Sequence, residues 1–240
     1  MIKKLSTAFL SLLSTPLLIV LPLTLTPAIG VTFQPKGSPE QTAGGASRGM
    51  CTAGNFGDKN AFAALIPATD GELIAAAYPT VLVKVPESKS VQAEFILSDE
   101  NLNPIYQTTV TLNGELGILS LSVPSKTEAL AIGKRYKWNL SIICDARNRL
   151  EDIIVGGWLK RASLSETISH QLENADALQK ANIYAQNGFW YDTVATLAQL
   201  KRSRPEDPKI AAEWLQLLES VGLAQFSQTP LTVLPENSTP

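Results

Sequence analysis

The sequence predicts an α+β protein, in which an all-β domain built as a seven-stranded sandwich is followed by a small helical module. Apolar residues between Phe62 and Arg161 recur at every second position, which is the period of strands with one buried face. After Ala162 the apolar period changes to about 3.6 residues, the period of helices that bury one side. Hydrophobic residues make up 45% of the 240 residues and charged residues 18%, a balance typical of a globular chain.

Seven short alternating runs predict the sandwich. They lie at residues 62–66, 81–85, 93–97, 106–112, 119–123, 136–144 and 153–155, and turn residues such as Asn113-Gly114 separate them. Short strands at this spacing, each with one apolar face, predict two antiparallel sheets packed face to face. We therefore assign residues 61–162 to a β-sandwich domain.

The position of one tyrosine favours a particular type of β-sandwich. Gly133 stands three residues before Tyr136, which opens the sixth run. This spacing resembles the tyrosine corner, in which the phenol hydroxyl bonds back to the preceding connection, and it favours an immunoglobulin-like or fibronectin-like fold. The pattern gives Tyr136 a structural role. The alternative is a tyrosine that only fills the rim of the core.

Residues 163–223 predict a module of four helices. Ser163 and Glu166 fit a capping box that starts the first helix, and Asp176 can cap the second. Asp207-Pro208 joins a cap to a proline at the first helical position, which is a strong start signal for the fourth.

The second and third helices resemble a single tetratricopeptide-type hairpin. The residues in register with that repeat are Ala181, Tyr184, Gly188, Trp190 and Pro205, whereas Thr193 and Leu200 stand where the repeat prefers alanine. The match gives structural roles to Gly188 as the turn glycine and to Pro205 as the terminal proline. Because one hairpin cannot bury a continuous core, we expect it to pack on its neighbours.

The first 30 residues resemble an export signal. Lys3 and Lys4 precede an apolar stretch from Leu5 to Leu25, and Ala28 and Gly30 are the small residues that a signal peptidase reads. This pattern predicts cleavage after Gly30, an exported protein in the periplasm or outside the cell, and no later membrane span; the alternative is a retained membrane anchor. Removing the two lysines from the 20 basic residues leaves 18 against 22 acidic ones, which disfavours a nucleic-acid partner.

Two further segments lack a sustained apolar period. Residues 31–60 predict a flexible lead-in, and residues 224–240 predict a disordered tail. Cys51 lies in the lead-in and Cys144 at the end of the sixth run. In an oxidising compartment they allow one disulfide, which would tie the lead-in to the sandwich; the alternative is two buried thiols.

The chain offers few groups for catalysis. With two cysteines and one histidine, the sequence predicts no metal site and no cofactor, and His170 is interpreted as an exposed polar residue rather than a general base. The acid pairs Asp99-Glu100 and Glu151-Asp152 fall in turns or at strand starts, where solvated charge is usual. We therefore predict no catalytic residues.

Trp158 is the candidate binding residue. Trp138, Trp190 and Trp214 lie at apolar positions of their predicted elements, which indicates core roles. Trp158 follows Gly156-Gly157, and the glycine pair suggests a β-bulge that could turn the ring outward towards a ligand or a partner.

Several short motifs are shared with one protein family. They are Arg48-Gly-Met-Cys51-Thr-Ala-Gly54, Ala64-Leu-Ile-Pro67, Gln92-Ala-Glu-Phe95, Gly133-Lys-Arg-Tyr136-Lys-Trp138, Ile143-Cys-Asp145, Gly157-Trp158, Tyr184-Ala-Gln-Asn-Gly188-Phe-Trp-Tyr191 and Ser220-Val-Gly-Leu223. Through them, residues 48–223 resemble the exported proteins of the domain of unknown function 928 family, found mainly in cyanobacteria. The family is uncharacterised, so the resemblance implies no catalytic residue.

Two hypotheses of function follow. The first is an exported, non-catalytic interaction protein, an adaptor or envelope component that binds another envelope or secreted protein. The second is a hydrolase that acts on glycans or other substrates through paired carboxylates. The absence of a nucleophile beside a base in the sequence favours the first.

Overall fold

The computed structural model describes residues 30–36, 61–68 and 71–233, and these contain nine β-strands and four α-helices. The strands are β1 (Ala63–Ala64), β2 (Leu73–Ile74), β3 (Thr80–Val85), β4 (Val91–Ser98), β5 (Pro104–Leu112), β6 (Gly117–Ser122), β7 (Arg135–Ile142), β8 (Ile153–Arg161) and β9 (Leu231–Val233). The helices are α1 (Glu166–Glu173), α2 (Ala177–Gln186), α3 (Trp190–Ser203) and α4 (Pro208–Glu219).

The strands form two sheets, which confirms the predicted mixture of sheets and helices. One sheet has the order β1-β3-β6-β9 and the other β2-β8-β7-β4-β5. The seven predicted runs correspond to β1 and β3 to β8, and these pair antiparallel within each sheet. The two strands that the sequence analysis missed, β2 and β9, each pair parallel at a sheet edge.

One hydrophobic core extends through the sheets and the helices. Alternation in β4 and β7 buries Phe95, Trp138 and Leu140, each at most 1% exposed, because these positions face the same side of their sheet. Trp190 and Trp214 are fully buried in the same cluster of apolar side chains. The helices therefore pack on the sheets.

Tyr136 makes a hydrogen bond back to the connection that precedes β7. Its hydroxyl, on the buried side of β7, accepts a hydrogen bond from the backbone N–H of Ala131 at 2.8 Å. Gly133 lies between them with φ +84°, a left-handed conformation that a side chain would strain. Its N–H donates to the carbonyl of Arg161 at 2.7 Å, which ties the connection to β8.

Caps fix the starts of three helices. Asp176 forms a reciprocal capping box with Gln179, and Asp207 accepts from two N–H groups at the start of α4, as predicted. The first helix differs from the prediction, because Ser165 and not Ser163 accepts from the N–H of Ile168. Each of these caps satisfies N–H groups that the first turn leaves without an intrahelical partner.

Parts of the predicted lead-in and tail are ordered, which corrects both expectations over those residues. Val31 and Phe33 are buried at 0% and 5% exposure, so the start of the lead-in belongs to the core. Phe226 is also buried, and β9 pairs with β6. Residues 37–60 and 234–240 lie outside the described residues, as do residues 1–29 of the predicted signal segment 1–30.

The predicted disulfide stays a prediction, because Cys51 also lies outside the described residues. Its expected partner Cys144 is half-buried and packs against the core just after β7. Among the described residues, no helix is both long enough and apolar enough to cross a membrane.

Replacing Tyr136 by phenylalanine removes the acceptor for the Ala131 N–H. We expect Tyr136→Phe to lower the free energy of unfolding by about 1 kcal/mol, measured by urea denaturation. Tyr106→Phe is the matched control, because the hydroxyl of Tyr106 has no hydrogen-bond partner among the described residues. Equal losses in the two variants would contradict a specific role for the corner.

Candidate functional site

Trp158 lies on the outer face of the five-stranded sheet, with cationic side chains around its ring. It pairs with Lys137 across β7 and β8, and its side chain is half-buried. The guanidinium carbon of Arg135 lies 4.8 Å from the centroid of the indole ring, and the Nζ of Lys137 lies 5.8 Å from it. These distances are within the range of cation–π attraction, so the two cations hold the ring in place.

Ordinary strand alternation places the ring outward, without the predicted bulge. The register between β7 and β8 runs unbroken from Arg135 to Ile142, so no extra residue is inserted at Gly156-Gly157. The glycines serve close packing instead. A Cβ at Gly157 would lie 3.2 Å from the hydroxyl of Tyr191, and one at Gly156 would collide with the carbonyl of Trp138.

Two lysines give this face a positive charge that no carboxylate of the described residues offsets. Arg135 is paired with Glu72 at 2.9 Å, and Lys134 with Glu100 at 2.9 Å. Lys137 and Lys160 form no ion pair within the described part of the chain, and Lys160 lies opposite Arg135 in the register. We call Trp158, Arg135, Lys137 and Lys160 the β7–β8 surface.

A buried tyrosine from α3 supports the backbone beneath this surface. The hydroxyl of Tyr191 accepts from the Nε1 of Trp138 at 3.0 Å and donates to the carbonyl of Trp158 at 2.8 Å. Burial raises the pKa of Tyr191, so the hydroxyl stays protonated and keeps its role as donor. The position of Trp158 is thus tied to the helical module.

The next residue, Asp192, joins α3 to the chain that follows β2. Its two carboxylate oxygens accept from the N–H groups of Ala75 at 2.7 Å and Ala76 at 2.9 Å. Burial raises the pKa of this carboxyl to about 6, while the two hydrogen bonds act in the opposite direction. Asp192 also borders a cleft of about 240 Å³ that Tyr78, Tyr184 and Thr196 help to line.

The acid pairs singled out in the sequence are engaged in local contacts. Asp99 accepts from Asn101 and Asn103 within its own turn, and the side-chain bond from Asn103 contributes most to lowering its pKa. Asp152 is buried and accepts from the Nε of Arg149 at 2.6 Å.

Glu94 accepts from the same guanidinium of Arg149 at 2.9 Å, and Glu151 accepts from the side-chain amide of Asn148 at 2.9 Å. These contacts serve turns and strand ends. Within residues 30–36, 61–68 and 71–233, no three His, Cys, Asp or Glu side chains lie close enough to hold a metal ion.

The other residues that the sequence analysis named have structural surroundings. His170 is exposed on α1, as predicted, and Pro205 is exposed just after the end of α3. Gly188 has φ +78° in the turn between α2 and α3, and a Cβ there would lie 2.9 Å from the Cβ of Lys36. This glycine therefore allows both the turn and the approach of the N-terminal segment.

Sequence reasoning identified Trp158 but missed the groups around it. Arg135 and Lys137 alternate on β7 with the buried Tyr136 and Trp138, so their parity alone could have placed them on the outer face. Which residue of β8 faces them depends on the register between the two strands. The sequence alone does not specify that register. The role of Tyr191 depends on a contact across 53 residues and left no local signal.

Removing the Tyr191 hydroxyl leaves a buried donor and a buried acceptor without partners. We expect Tyr191→Phe to lower the free energy of unfolding by about 2–4 kcal/mol in urea denaturation. Tyr184→Phe on α2 is the control, because that hydroxyl has no hydrogen-bond partner among the described residues and should cost little. A loss for Tyr191→Phe no larger than that of the control would contradict the bridging role.

The raised pKa of Asp192 predicts a pH dependence of stability. Its folded pKa of about 6 lies above the ordinary value of 3.8, so the folded state holds the proton more tightly than the unfolded state. This contribution is therefore complete below the ordinary value and is lost as the pH rises through about 6. We expect the free energy of unfolding of wild type, minus that of Asp192→Asn, to fall by up to about 3 kcal/mol between pH 4 and pH 7. A difference that stays flat or rises over this range would contradict the assignment.

Comparison with known proteins identifies the family of this chain. No curated protein matches the sequence. One family model, described as Domain of Unknown Function (DUF928), matches residues 43–231, which include strands β1 to β8, the four helices and the β7–β8 surface. Because that match covers most of the chain, the protein belongs to the DUF928 family.

Proposed function

We propose that this chain is an exported, non-catalytic interaction protein that binds an acidic protein partner through the β7–β8 surface. The supporting observation is the half-buried Trp158 on an outer sheet face beside two lysines that no carboxylate within the described residues neutralises. Tryptophan and arginine carry much of the binding energy at protein interfaces. The compartment follows from the predicted signal, which makes the partner an envelope or secreted protein.

The charge distribution supports an acidic partner in particular. The whole chain is acidic, with a formal net charge of −2, so the positive patch has the opposite sign to the chain as a whole. Lys137 and Lys160 can pair with carboxylates of the partner, while the indole ring supplies apolar contact area. An interface of this kind forms faster at low ionic strength and weakens as salt is added.

We further propose that the sandwich is immunoglobulin-like and the α2–α3 hairpin tetratricopeptide-like. In support of the first, β1-β3-β6 and β8-β7-β4 match the strand grouping A-B-E and G-F-C of that fold, with β5 added beside β4. In support of the second, α2 and α3 pack together across a turn with Gly188 in the left-handed conformation. The hairpin lies against residues 31–36 of its own chain, so we assign partner binding to the sheet.

The hydrolase hypothesis has less support. Paired carboxylates for glycoside hydrolysis must face each other across a space that admits a sugar. Asp152 and Glu94 both bind Arg149, and Asp192 holds two backbone N–H groups, so these acids are committed to the fold. We therefore propose binding rather than catalysis.

An acidic peptide tests the charge preference directly. Trp138, Trp190 and Trp214 are fully buried, so collisional quenching by iodide should report Trp158. We expect a ten-residue glutamate peptide to protect Trp158 from iodide at low salt, and a lysine peptide of equal length to give no protection. The Lys137→Glu/Lys160→Glu variant should lose the protection, and Lys209→Glu, an exposed charge change on α4, should retain it. Protection that survives the double reversal would contradict the proposal.

The same variants test the native partner. Cross-linking in envelope extract should capture a specific protein with the wild type and with Lys209→Glu, and markedly less with Trp158→Ala or the double reversal. Equal capture by all four proteins would contradict the proposal, because the partner would then bind to another surface.

A further inference from the structure

Glu213 is a buried carboxylate that meets the backbone nitrogen of Val31. The Oε2 atom of Glu213 lies 2.6 Å from that nitrogen, and the two residues are 8% and 0% exposed. Glu213 forms no ion pair within the part of the chain that the structure describes. Burying an ionised carboxylate is costly unless a cation compensates it, and one amide N–H offers little compensation.

The surrounding contacts fix this nitrogen in place. Along one face of α4, Gln216 donates to the hydroxyl of Thr32 at 3.3 Å, and Ser220 accepts from the N–H of Phe33 at 3.1 Å. The ring of Phe33 packs edge-on against Trp190, with centroids 5.2 Å apart. The segment that starts at Val31 is thus held on both sides, and its first nitrogen points at a carboxylate.

The sequence independently marks the same peptide bond. Ala28 and Gly30 are the small residues that predict cleavage after Gly30, which would make Val31 the first residue of the exported chain. Gly30 lies close to α4, because a Cβ there would meet the carboxamide group of Gln216.

We propose that the bond between Gly30 and Val31 is a processing site and that Glu213 binds the α-ammonium group that cleavage creates. An export endopeptidase hydrolyses the bond with one water, whose oxygen joins the Gly30 carbonyl to form a carboxylate. The Val31 nitrogen takes up protons and becomes an ammonium group with three donors. Its charge then compensates Glu213.

A consequence is that the charge of Glu213 is compensated only after export. Before cleavage Glu213 has an amide as its partner, and after cleavage it has a cation at the same position. The inference rests on the proposed export. It does not involve the β7–β8 surface, so failure of partner binding at that surface leaves the tests below unaffected, and failure of these tests leaves the binding tests unaffected.

The N-terminus of the exported protein gives the first test. Mass spectrometry of the N-terminal peptide, from protein collected after export, should identify Val31 as the first residue. Any other first residue overturns the assignment of the processing site.

A double-mutant cycle tests the pairing. One chain begins at Val31 and the other at Ala28, which moves the ammonium group about 10 Å along the chain. We expect Glu213→Gln to raise the unfolding equilibrium constant at least tenfold more in the chain that begins at Val31, a difference of about 1.4 kcal/mol. Glu219→Gln, at an exposed position of α4, should affect both chains equally. An equal effect of Glu213→Gln in the two chains overturns the pairing.

Chemical protection gives a measurement that does not need a folded variant. In the wild-type chain that begins at Val31, acylation of the α-amine should be at least tenfold slower under native conditions than in urea. The α-amine of the chain that begins at Ala28 should react at similar rates in both. Rapid native acylation at Val31 overturns the pairing.

Discussion

The structure depends on the way α3 enters the space beside the two sheets. Trp190 donates from its Nε1 to the carbonyl of Leu65 at 2.8 Å, and Tyr191 bridges Trp138 and the backbone of Trp158. These are polar groups of large side chains that are otherwise surrounded by apolar atoms. Each would be costly to bury alone, so the pairing fixes the helix at one depth and one rotation relative to the sheets. The sandwich and the helices therefore depend on each other for stability.

This shared core connects surfaces that are far apart along the chain. Tyr191 lies under Trp158, while the preceding residue, Trp190, packs against Phe33 of the N-terminal segment. A change in the position of α3 would therefore alter the packing both beneath the β7–β8 surface and beside Val31. Charge reversal at an exposed lysine avoids this coupling, whereas truncation of a buried aromatic side chain does not.

Local features of the fold could be predicted from the sequence, and distant contacts could not. The alternation of β4 and β7 and the caps at Asp176 and Asp207 are encoded within a few residues, and they were predicted correctly. Strands β2 and β9 have two and three residues, too few for a period, and their parallel partners are distant in sequence. Ser163 and Ser165 are both suitable caps, and the path of the chain after β8 decides between them. For the site, parity could place Trp158, but its cations and Tyr191 required the register and the packing.

The N-terminal segment shows why composition alone was misleading. Residues 31–36 have no sustained period, yet Val31 and Phe33 alternate into the core around an exposed Thr32. Three residues are too few to distinguish a packed strand-like segment from a flexible one, so the polar and glycine-rich residues after them dominated the prediction. What orders the segment is supplied by α4, about 180 residues later, through Glu213, Gln216 and Ser220. Glu213 and Ser220 accept hydrogen bonds from this segment and Gln216 donates one to it, and because the three side chains are spaced along α4 and its C-terminal cap, they favour an extended segment over a helical one. In the processing proposed above, the buried carboxylate of Glu213 makes the charge at the nitrogen of Val31, and not only the apolar side chains, a determinant of where the exported chain begins.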